Sequence, residues 1–230
     1  MAFQKDTKYV GRQGNIIAYE RHNDYLIRTV PKQAANSKRT AAAFGAAASL
    51  AKDLRIMLSP VIPNPKNKPM QNRLTAAMRL FLAESGNDML NTSQSNSLTG
   101  FRFIAGVSLS DYLSFTITID EYDAGKIRVG IPAIKPAEAI AAPAGTASVQ
   151  IRVMAVAFHP SKRQNAIGKA QLFDIPYNLA LQNAAIVDLD CAAGPGSIMV
   201  VAASIAFLSA DRTGTAPNQP AAEILRTIGI

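Results

Sequence analysis

The side chains best suited to chemistry in this sequence are two groups of carboxylates. Asp120, Glu121 and Asp123 lie close to a predicted hairpin turn. Asp188 and Asp190 alternate along a predicted strand, which places both on one face. Calcium takes six to eight oxygen ligands, so either group would need further ligands from another segment. A solvated hairpin tip is the simpler interpretation, and we expect no metal site.

Few other residues could serve catalysis or ligand binding. Gly11 and Gly14 are followed by predicted strands and lack the Gly-Lys-Ser/Thr sequence of a phosphate loop. Of the two histidines, His22 falls in a hairpin turn and His159 in a predicted exposed loop. The single cysteine, Cys191, excludes a disulfide framework and a cysteine-based zinc site. We therefore expect no catalytic residues, no cofactor and a protein that is not an enzyme.

Composition places the chain among globular proteins. It has 230 residues, of which 48% are hydrophobic and 17% are charged, which excludes a disordered chain. The longest apolar stretch, 198–208, is much shorter than the ~20 residues that span a membrane. No secretory signal is evident at the N-terminus. We expect synthesis in the cytoplasm, with export by another route or incorporation into a particle as open alternatives.

Charge is distributed unevenly along the chain. The formal net charge is +8, and residues 1–80 contain 14 Lys and Arg against 4 acids. The remaining residues contain 10 bases and 12 acids. Such asymmetry indicates either an anionic partner, such as nucleic acid, or complementary surfaces on a subunit that associates with itself.

Periodicity predicts short strands and two helices in the first half. Strands at 15–20 and 25–30 flank a polar turn and form a hairpin. A helix runs from Asn36 or Ser37 to about Leu58, with apolar residues recurring at three- and four-residue spacing. A second helix begins near Pro69, and 86–99 is predicted to be a polar loop.

The second half is predicted to be almost entirely β. The predicted strands are 115–120, 127–131, 149–158, 169–175, 186–191, 197–208 and 223–228. The segment 199–207 is apolar on both faces, which indicates a central strand covered on both sides. The expected class is α+β, with an N-terminal β-hairpin and two helices attached to an antiparallel β-sandwich. We expect domains at 1–99 and 100–230, with one integrated domain as the alternative.

The first helix and the hairpin supply candidate contacts between subunits. Residues 41–51 are small or apolar all the way round, which implies cover on more than one side. The alternative is a neutral helix surface rich in alanine, a good helix former. The predicted interface residues are Ile16, Ile17, Tyr19, Leu26, Ile27, Phe44, Ala47, Ala48 and Ala51.

The basic residues of the first half provide a competing interpretation. The candidate anion-binding residues are Arg39, Lys52, Arg55, Arg73 and Arg79. The chain has no Trp and only 7% aromatic residues, so it lacks the stacking platforms typical of proteins that bind single strands. Solvated charge, or pairing with the acidic half of a neighbour, is favoured over nucleic acid.

Several short motifs together resemble a known family. They are Gly11-Arg12-Gln13-Gly14-Asn15, Arg28-Thr29, Arg39-Thr40-x-x-x-Phe44-Gly45-x-Ala47-x-x-x-Ala51-Lys52-x-Leu54-Arg55, Arg73-Leu74 and Gly100-Phe101-Arg102-Phe103. This pattern resembles a family of functionally uncharacterised proteins of similar length, common in Bacteroidota. The resemblance covers about half of the chain and implies no activity or site residues. Members carry charged residues where this chain has Ala41–Ala43.

These observations favour a non-enzymatic structural protein that self-associates into a homomultimer such as a filament, tube or shell. Opposite charge in the two halves and the apolar first helix are the main reasons. The alternative is a nucleic-acid-associated protein that uses the basic N-terminal face.

Overall fold

The computed structural model describes residues 3–5, 8–22, 24–30, 35–84, 97–123, 126–162, 164–192, 194–209 and 218–230. Its helices are α1 (Ala35–Met57), α2 (Lys68–Glu84) and α3 (Pro136–Ala139), with a 3₁₀ turn at Leu109–Asp111. Its strands are β1 (Phe3–Lys5), β2 (Lys8–Gln13), β3 (Ile16–Arg21), β4 (Asp24–Thr29), β5 (Thr118–Asp123), β6 (Lys126–Ile131), β7 (Thr146–Phe158), β8 (Asn165–Ile167), β9 (Gln171–Pro176), β10 (Ala185–Asp190), β11 (Ile198–Ser209) and β12 (Asn218–Gly229).

The chain divides into two compact units, Met1–Ala43 and Phe44–Ile230. Most of α1 and all of α2 therefore belong to the same unit as the β-rich half. The expected domain boundary at residue 99 stays a prediction, because compactness does not show which segment folds by itself.

The first unit contains an antiparallel sheet in the order β1-β2-β3-β4, which we call the N-terminal sheet. The predicted hairpin is present as β3 and β4. Strands β1 and β2 extend it, and the sequence did not predict them because they lack a clear apolar alternation. Gly14 has a φ of +59° in the turn between β2 and β3, a conformation that favours glycine.

The second unit confirms the antiparallel sandwich. Its central sheet has the order β12-β11-β7-β8, with β9 also paired to β7. The outer sheet has the order β10-β6-β5. The hairpin of β5 and β6 was predicted, but β5 begins at Thr118 rather than at Phe115. Ser114 N donates instead to Ala139 O, so the backbone before β5 pairs with a different segment.

Both faces of the central sheet are covered. Val201 and Ile205 of β11 pack in one core with the outer sheet. Val200 and Ala202, which alternate with them, pack in a second core with α1 and α2. The prediction of a central strand covered on both sides is therefore confirmed, and the unit has a helical layer, a central sheet and an outer sheet.

The helical layer packs through one stripe of each helix. The buried residues are Ala47, Ala51, Leu54 and Met57 of α1, and Met70, Leu74, Met78 and Phe81 of α2. The ring of Phe81 meets Phe158 of β7 edge-on, with centroids 6.4 Å apart. Asn67 caps α2, since its Oδ1 accepts from Met70 N at 2.9 Å.

The structure bears on the predicted cover of α1 and on the predicted polar loop that follows α2. Residues 41–46 of α1 are exposed, so the described residues of the chain do not cover this helix on more than one side. Most of the predicted polar loop at 86–99 lies outside the described residues, and 97–100 forms a turn.

We predict that Phe81→Ala lowers the free energy of unfolding by about 3–5 kcal/mol, because it removes a fully buried ring from the core between helix and sheet. The matched control is its neighbour Leu80, which is 57% exposed; Leu80→Ala should change stability by less than about 1 kcal/mol. Urea denaturation followed by circular dichroism measures both. Equal losses would contradict the assigned helix orientation.

Candidate functional site

A groove of about 820 Å³ lies between α1 and α2. We call it the α1–α2 groove and define it by Phe44, Ala48, Lys52 and Arg55 of α1 and by Gln71, Thr75, Ala76, Arg79, Leu80 and Ala83 of α2. Its volume is within the range of protein sites that bind ligands or side chains of a partner.

One end of the groove is fixed by a shared hydrogen-bond acceptor. Pro65 O, in the connection between the helices, accepts from Arg55 Nη1 at 2.7 Å and from Gln71 Nε2 at 3.0 Å. The same connection is held to the sheet, because Arg152 Nη1 donates to Pro60 O at 2.6 Å. These bonds hold the spacing of the helices that leaves the groove open.

The groove has apolar walls, and the two largest apolar side chains in them are exposed to solvent. Phe44 is 54% exposed and Leu80 is 57% exposed, which is high for side chains of this size and type. Ala48 and Ala76 lie one helical turn away from them and leave room for an inserted group. The groove therefore offers apolar contact area that the described chain leaves uncovered.

Cations border this apolar surface. Lys52 and Arg79 are exposed and form no salt bridge within the described residues. Arg55 is half-buried, and its bond to Pro65 O leaves its charge beside the groove. The structure thus brings predicted interface residues and predicted anion-binding residues to one place.

Ala47 and Ala51 do not fit the predicted role of subunit contacts. Both are buried in the core that the helices share with the central sheet. Their cover comes from the chain itself, because the buried stripe of α1 faces the sheet. Ala51 also reaches the wall of the groove, but little of its surface is accessible.

Arg73 has a structural role. Its Nη1 donates to Arg102 O at 2.9 Å and its Nη2 to Phe103 O at 3.0 Å, while its Cζ lies 5.4 Å from the centre of the Phe101 ring. It thereby ties α2 to the segment that pairs with the edge of β12. Arg39 belongs to the first unit and is exposed.

The interface residues predicted in the hairpin lie on the N-terminal sheet. Ile16, Leu26 and Ile27 are exposed, whereas Ile17 and Tyr19 are half-buried. Among the residues of this sheet whose side chains are described, Ala18 alone is buried. The described side chains of this sheet therefore form almost no core of their own.

One carboxylate of each acidic group pairs with a cation of a neighbouring strand. Arg128 forms a bidentate pair with Asp188, at 2.8 Å from Nε and 3.1 Å from Nη2. This hydrogen bonding holds the pKa of the Asp188 carboxyl below its ordinary value. Lys126 Nζ lies 3.2 Å from Asp123 Oδ2. Within the described residues no group of three or more metal-ligating side chains comes together.

Three other titratable side chains either accept hydrogen bonds from the backbone or lie in the core. They are His159, Glu223 and Cys191. His159 is buried, not exposed as predicted, because its Nδ1 accepts from Ser161 N and Lys162 N at 3.1 Å and closes the loop. Burial raises the pKa of the Cys191 thiol, which disfavours the nucleophilic thiolate. Glu223 Oε2 accepts from Ser108 Oγ at 2.9 Å and so holds the 3₁₀ turn.

Neither the models of known protein families nor the curated proteins show a match to this chain. The resemblance to a Bacteroidota family therefore stays a prediction. No helix in the described residues is long and apolar enough to cross a membrane.

Sequence reasoning missed Gln71 and Leu80 as parts of the site. Leu80 lies outside the apolar stripe of α2, and this displacement was the available signal. Gln71 gave none, because its acceptor is a backbone carbonyl of the preceding connection.

We predict that Arg73→Gln destabilises the fold by about 1–3 kcal/mol, since it removes hydrogen bonds from two backbone carbonyls. Arg79→Gln, on the same helix and exposed, should stay within about 0.5 kcal/mol of the parent. Thermal and urea unfolding provide the comparison. If Arg73→Gln leaves the free energy of unfolding unchanged, Arg73 has no structural role and is again a candidate anion-binding residue.

Proposed function

We propose that this protein is a non-enzymatic structural protein that self-associates into a homomultimer, with a filament, tube or shell as the form of the assembly. The N-terminal sheet and the α1–α2 groove are the surfaces of contact. Each leaves apolar side chains in water that a neighbouring copy would cover.

The observation that carries the proposal is the burial pattern of the N-terminal sheet. Strands need a packed apolar face for stability, and units near 40 residues usually need disulfides, metals or association with a partner. This sheet exposes Ile16, Leu26 and Ile27, and Ile27 retains 63% of its accessible surface. Covering these faces and pairing the edge strand β4 would supply the missing burial.

Charge supports association between copies. The basic residues lie mainly in the first 80 positions and the acids mainly after them. A contact between the basic part of one copy and the acidic part of the next is electrostatically favourable. Two like parts would repel each other, so this distribution favours unlike surfaces in contact.

We predict that the wild-type protein forms particles much heavier than the 24.5 kDa chain and that Ile27→Lys shifts them to lower mass, because the new charge would be desolvated in the contact. Size-exclusion chromatography with light scattering on nuclease-treated protein measures this. Ile186→Lys is the matched control, because Ile186 is a strand residue of similar exposure (67%) in the other unit.

One outcome would contradict self-association itself, and another would contradict only the assigned contact surface. A wild-type protein that stays at 24.5 kDa at every concentration would exclude self-association. Equal loss of mass in Ile27→Lys and Ile186→Lys would instead exclude the N-terminal sheet as the specific contact.

Nucleic-acid association is the second candidate. It rests on the exposed cations Lys52 and Arg79 beside the groove. Binding of this kind depends on contacts to phosphates and weakens steeply with salt. Against it, the structure commits the guanidinium groups of Arg55 and Arg73 to backbone carbonyls.

For this candidate we predict that Lys52→Glu with Arg79→Glu abolishes binding to a fluorescent oligonucleotide, and that the parent loses affinity between 50 and 200 mM salt, by about tenfold or more for a few phosphate contacts. Fluorescence anisotropy follows both. Lys135→Glu is the control, because Lys135 is exposed in the second half of the chain. Binding that is unchanged in the double variant would exclude the groove cations as the nucleic-acid site.

A further inference from the structure

The strand β4 forms one edge of the N-terminal sheet. It is the last strand in the order β1-β2-β3-β4, so among the described strands only β3 pairs with it. Asp24, Leu26, Ile27 and Arg28 are all exposed. An exposed edge strand presents backbone N–H and C=O groups that can pair with a strand of another molecule.

The register with β3 shows which residues of β4 point to the open edge. Val30, which directly follows β4, donates its N–H to Asn15 O at 2.8 Å, so its backbone groups point towards β3. This direction alternates along an antiparallel strand, so Leu26 also points towards β3 and Ile27 points to the open edge. An added antiparallel strand must match this alternation, and its allowed registers therefore differ by two positions.

The side chains of β4 are arranged so that the strand matches a second copy of itself. Asp24, Leu26 and Arg28 share one face, because side chains alternate along a strand. In antiparallel pairing centred on Leu26, Asp24 of each copy lies opposite Arg28 of the other, and the two Leu26 side chains meet. On the other face Ile27 lies opposite Tyr25. Opposite charges and aromatic–β-branched pairs directly across two strands stabilise their pairing.

The neighbouring registers lack this match. A shift by two positions in one direction places Arg28 opposite Leu26, and the opposite shift places Asp24 opposite Leu26. Each of these registers sets a charge against an apolar side chain. Within the described residues neither Asp24 nor Arg28 is in a salt bridge, so the pairing with a second copy displaces no existing ion pair.

Two other strand edges of the chain are poorer partners for β4. β1 has three residues, half the length of β4. β5 is an edge of the outer sheet, but Arg226 Nη1 already donates to its Ile119 O at 2.6 Å. β5 also carries three acids and no base, whereas β4 carries one acid and one base. A strand that offers the same two charges in reversed order is a second copy of β4.

We propose that β4 of one copy pairs antiparallel with β4 of a second copy, in the register centred on Leu26, and joins the two N-terminal sheets into one continuous sheet. This inference rests on the proposed self-association and names the strand and the register of one contact. Pairing of like with like has twofold symmetry and closes at a dimer. A filament, tube or shell therefore needs a second contact, for which the α1–α2 groove remains available.

Disulfide crosslinking of the full chain tests the register. In the proposed pair the two Leu26 residues are directly opposite and form a non-hydrogen-bonded pair, with Cα atoms about 4.5 Å apart. This separation allows a disulfide. Leu26→Cys should therefore form a covalent dimer on mild oxidation. The wild type is the background control, because its single cysteine, Cys191, is buried.

Ile27→Cys is the matched control within the same strand. Ile27 is 63% exposed and Leu26 is 38% exposed, so random collision would favour crosslinking of Ile27→Cys. In the proposed register the two copies of position 27 are diagonal neighbours, about 7–8 Å apart. Because a disulfide does not span this distance without backbone movement, Leu26→Cys should give at least about tenfold more covalent dimer on a non-reducing gel.

Charge reversal tests the pairing of Asp24 with Arg28. Asp24→Lys and Arg28→Glu are each combined with Leu26→Cys. Either double variant alone sets like charges opposite each other, so its covalent dimer should fall by about threefold or more. An equimolar mixture should restore the yield of Leu26→Cys, because the new lysine of one variant lies opposite the new glutamate of the other. Mixing does not repair a folding defect, and circular dichroism checks each variant.

Equal crosslinking of Leu26→Cys and Ile27→Cys overturns the inference, and so does a mixture that crosslinks no better than its two components. The proposed function is judged separately by the mass of the wild-type protein. A heavy wild-type assembly without Leu26→Cys dimers rejects the β4 contact and leaves self-association standing. A wild type that stays at 24.5 kDa at every concentration, without Leu26→Cys dimers, rejects both.

Discussion

The structure of the second unit depends on the need to shield both faces of β11 from water. Its residues from Ile198 to Phe207 are all buried, and each buried Val, Ile, Met or Phe side chain contributes about 1.5–3 kcal/mol. One face requires the outer sheet and the other requires α1 and α2. The helical layer therefore shares a core with the central sheet. The two helices, and the groove between them, are positioned by their packing over β11.

Polar side chains complete this arrangement by satisfying backbone groups that the layers would otherwise leave unpaired. Arg55 and Gln71 share Pro65 O, and Arg73 bonds to two carbonyls beside β12. Hydrogen bonds from a charged group contribute about 1.5–3 kcal/mol each, so these bonds stabilise the fold even though Arg55 and Arg73 are basic. The positive charge of the helical layer therefore has two parts. Arg55 and Arg73 hold the fold together, whereas Lys52 and Arg79 are exposed.

The two units differ in how well they bury their own apolar residues. The second unit has two extensive cores, whereas Ala18 is the buried residue among the described side chains of the N-terminal sheet. Phe44 and Leu80 in the α1–α2 groove are also exposed. The self-association that we propose would account for these features together, because each surface would gain burial from a neighbour and opposite charges would favour unlike pairs.

The sequence by itself predicted the class of the fold and most of its elements. Alternation predicted β6 and β7, a continuous apolar run predicted β11, and the three- and four-residue spacing predicted α1 and α2. β1 and β2 were not predicted because they lack a clear apolar alternation. Tertiary structure alone decided the site. Packing assigned Ala47 and Ala51 to the chain's own core while leaving Phe44 exposed, and it placed Arg73 on carbonyls about 30 positions away. Periodicity describes which residues share a face, but the partner of that face is set by contacts between segments far apart in sequence.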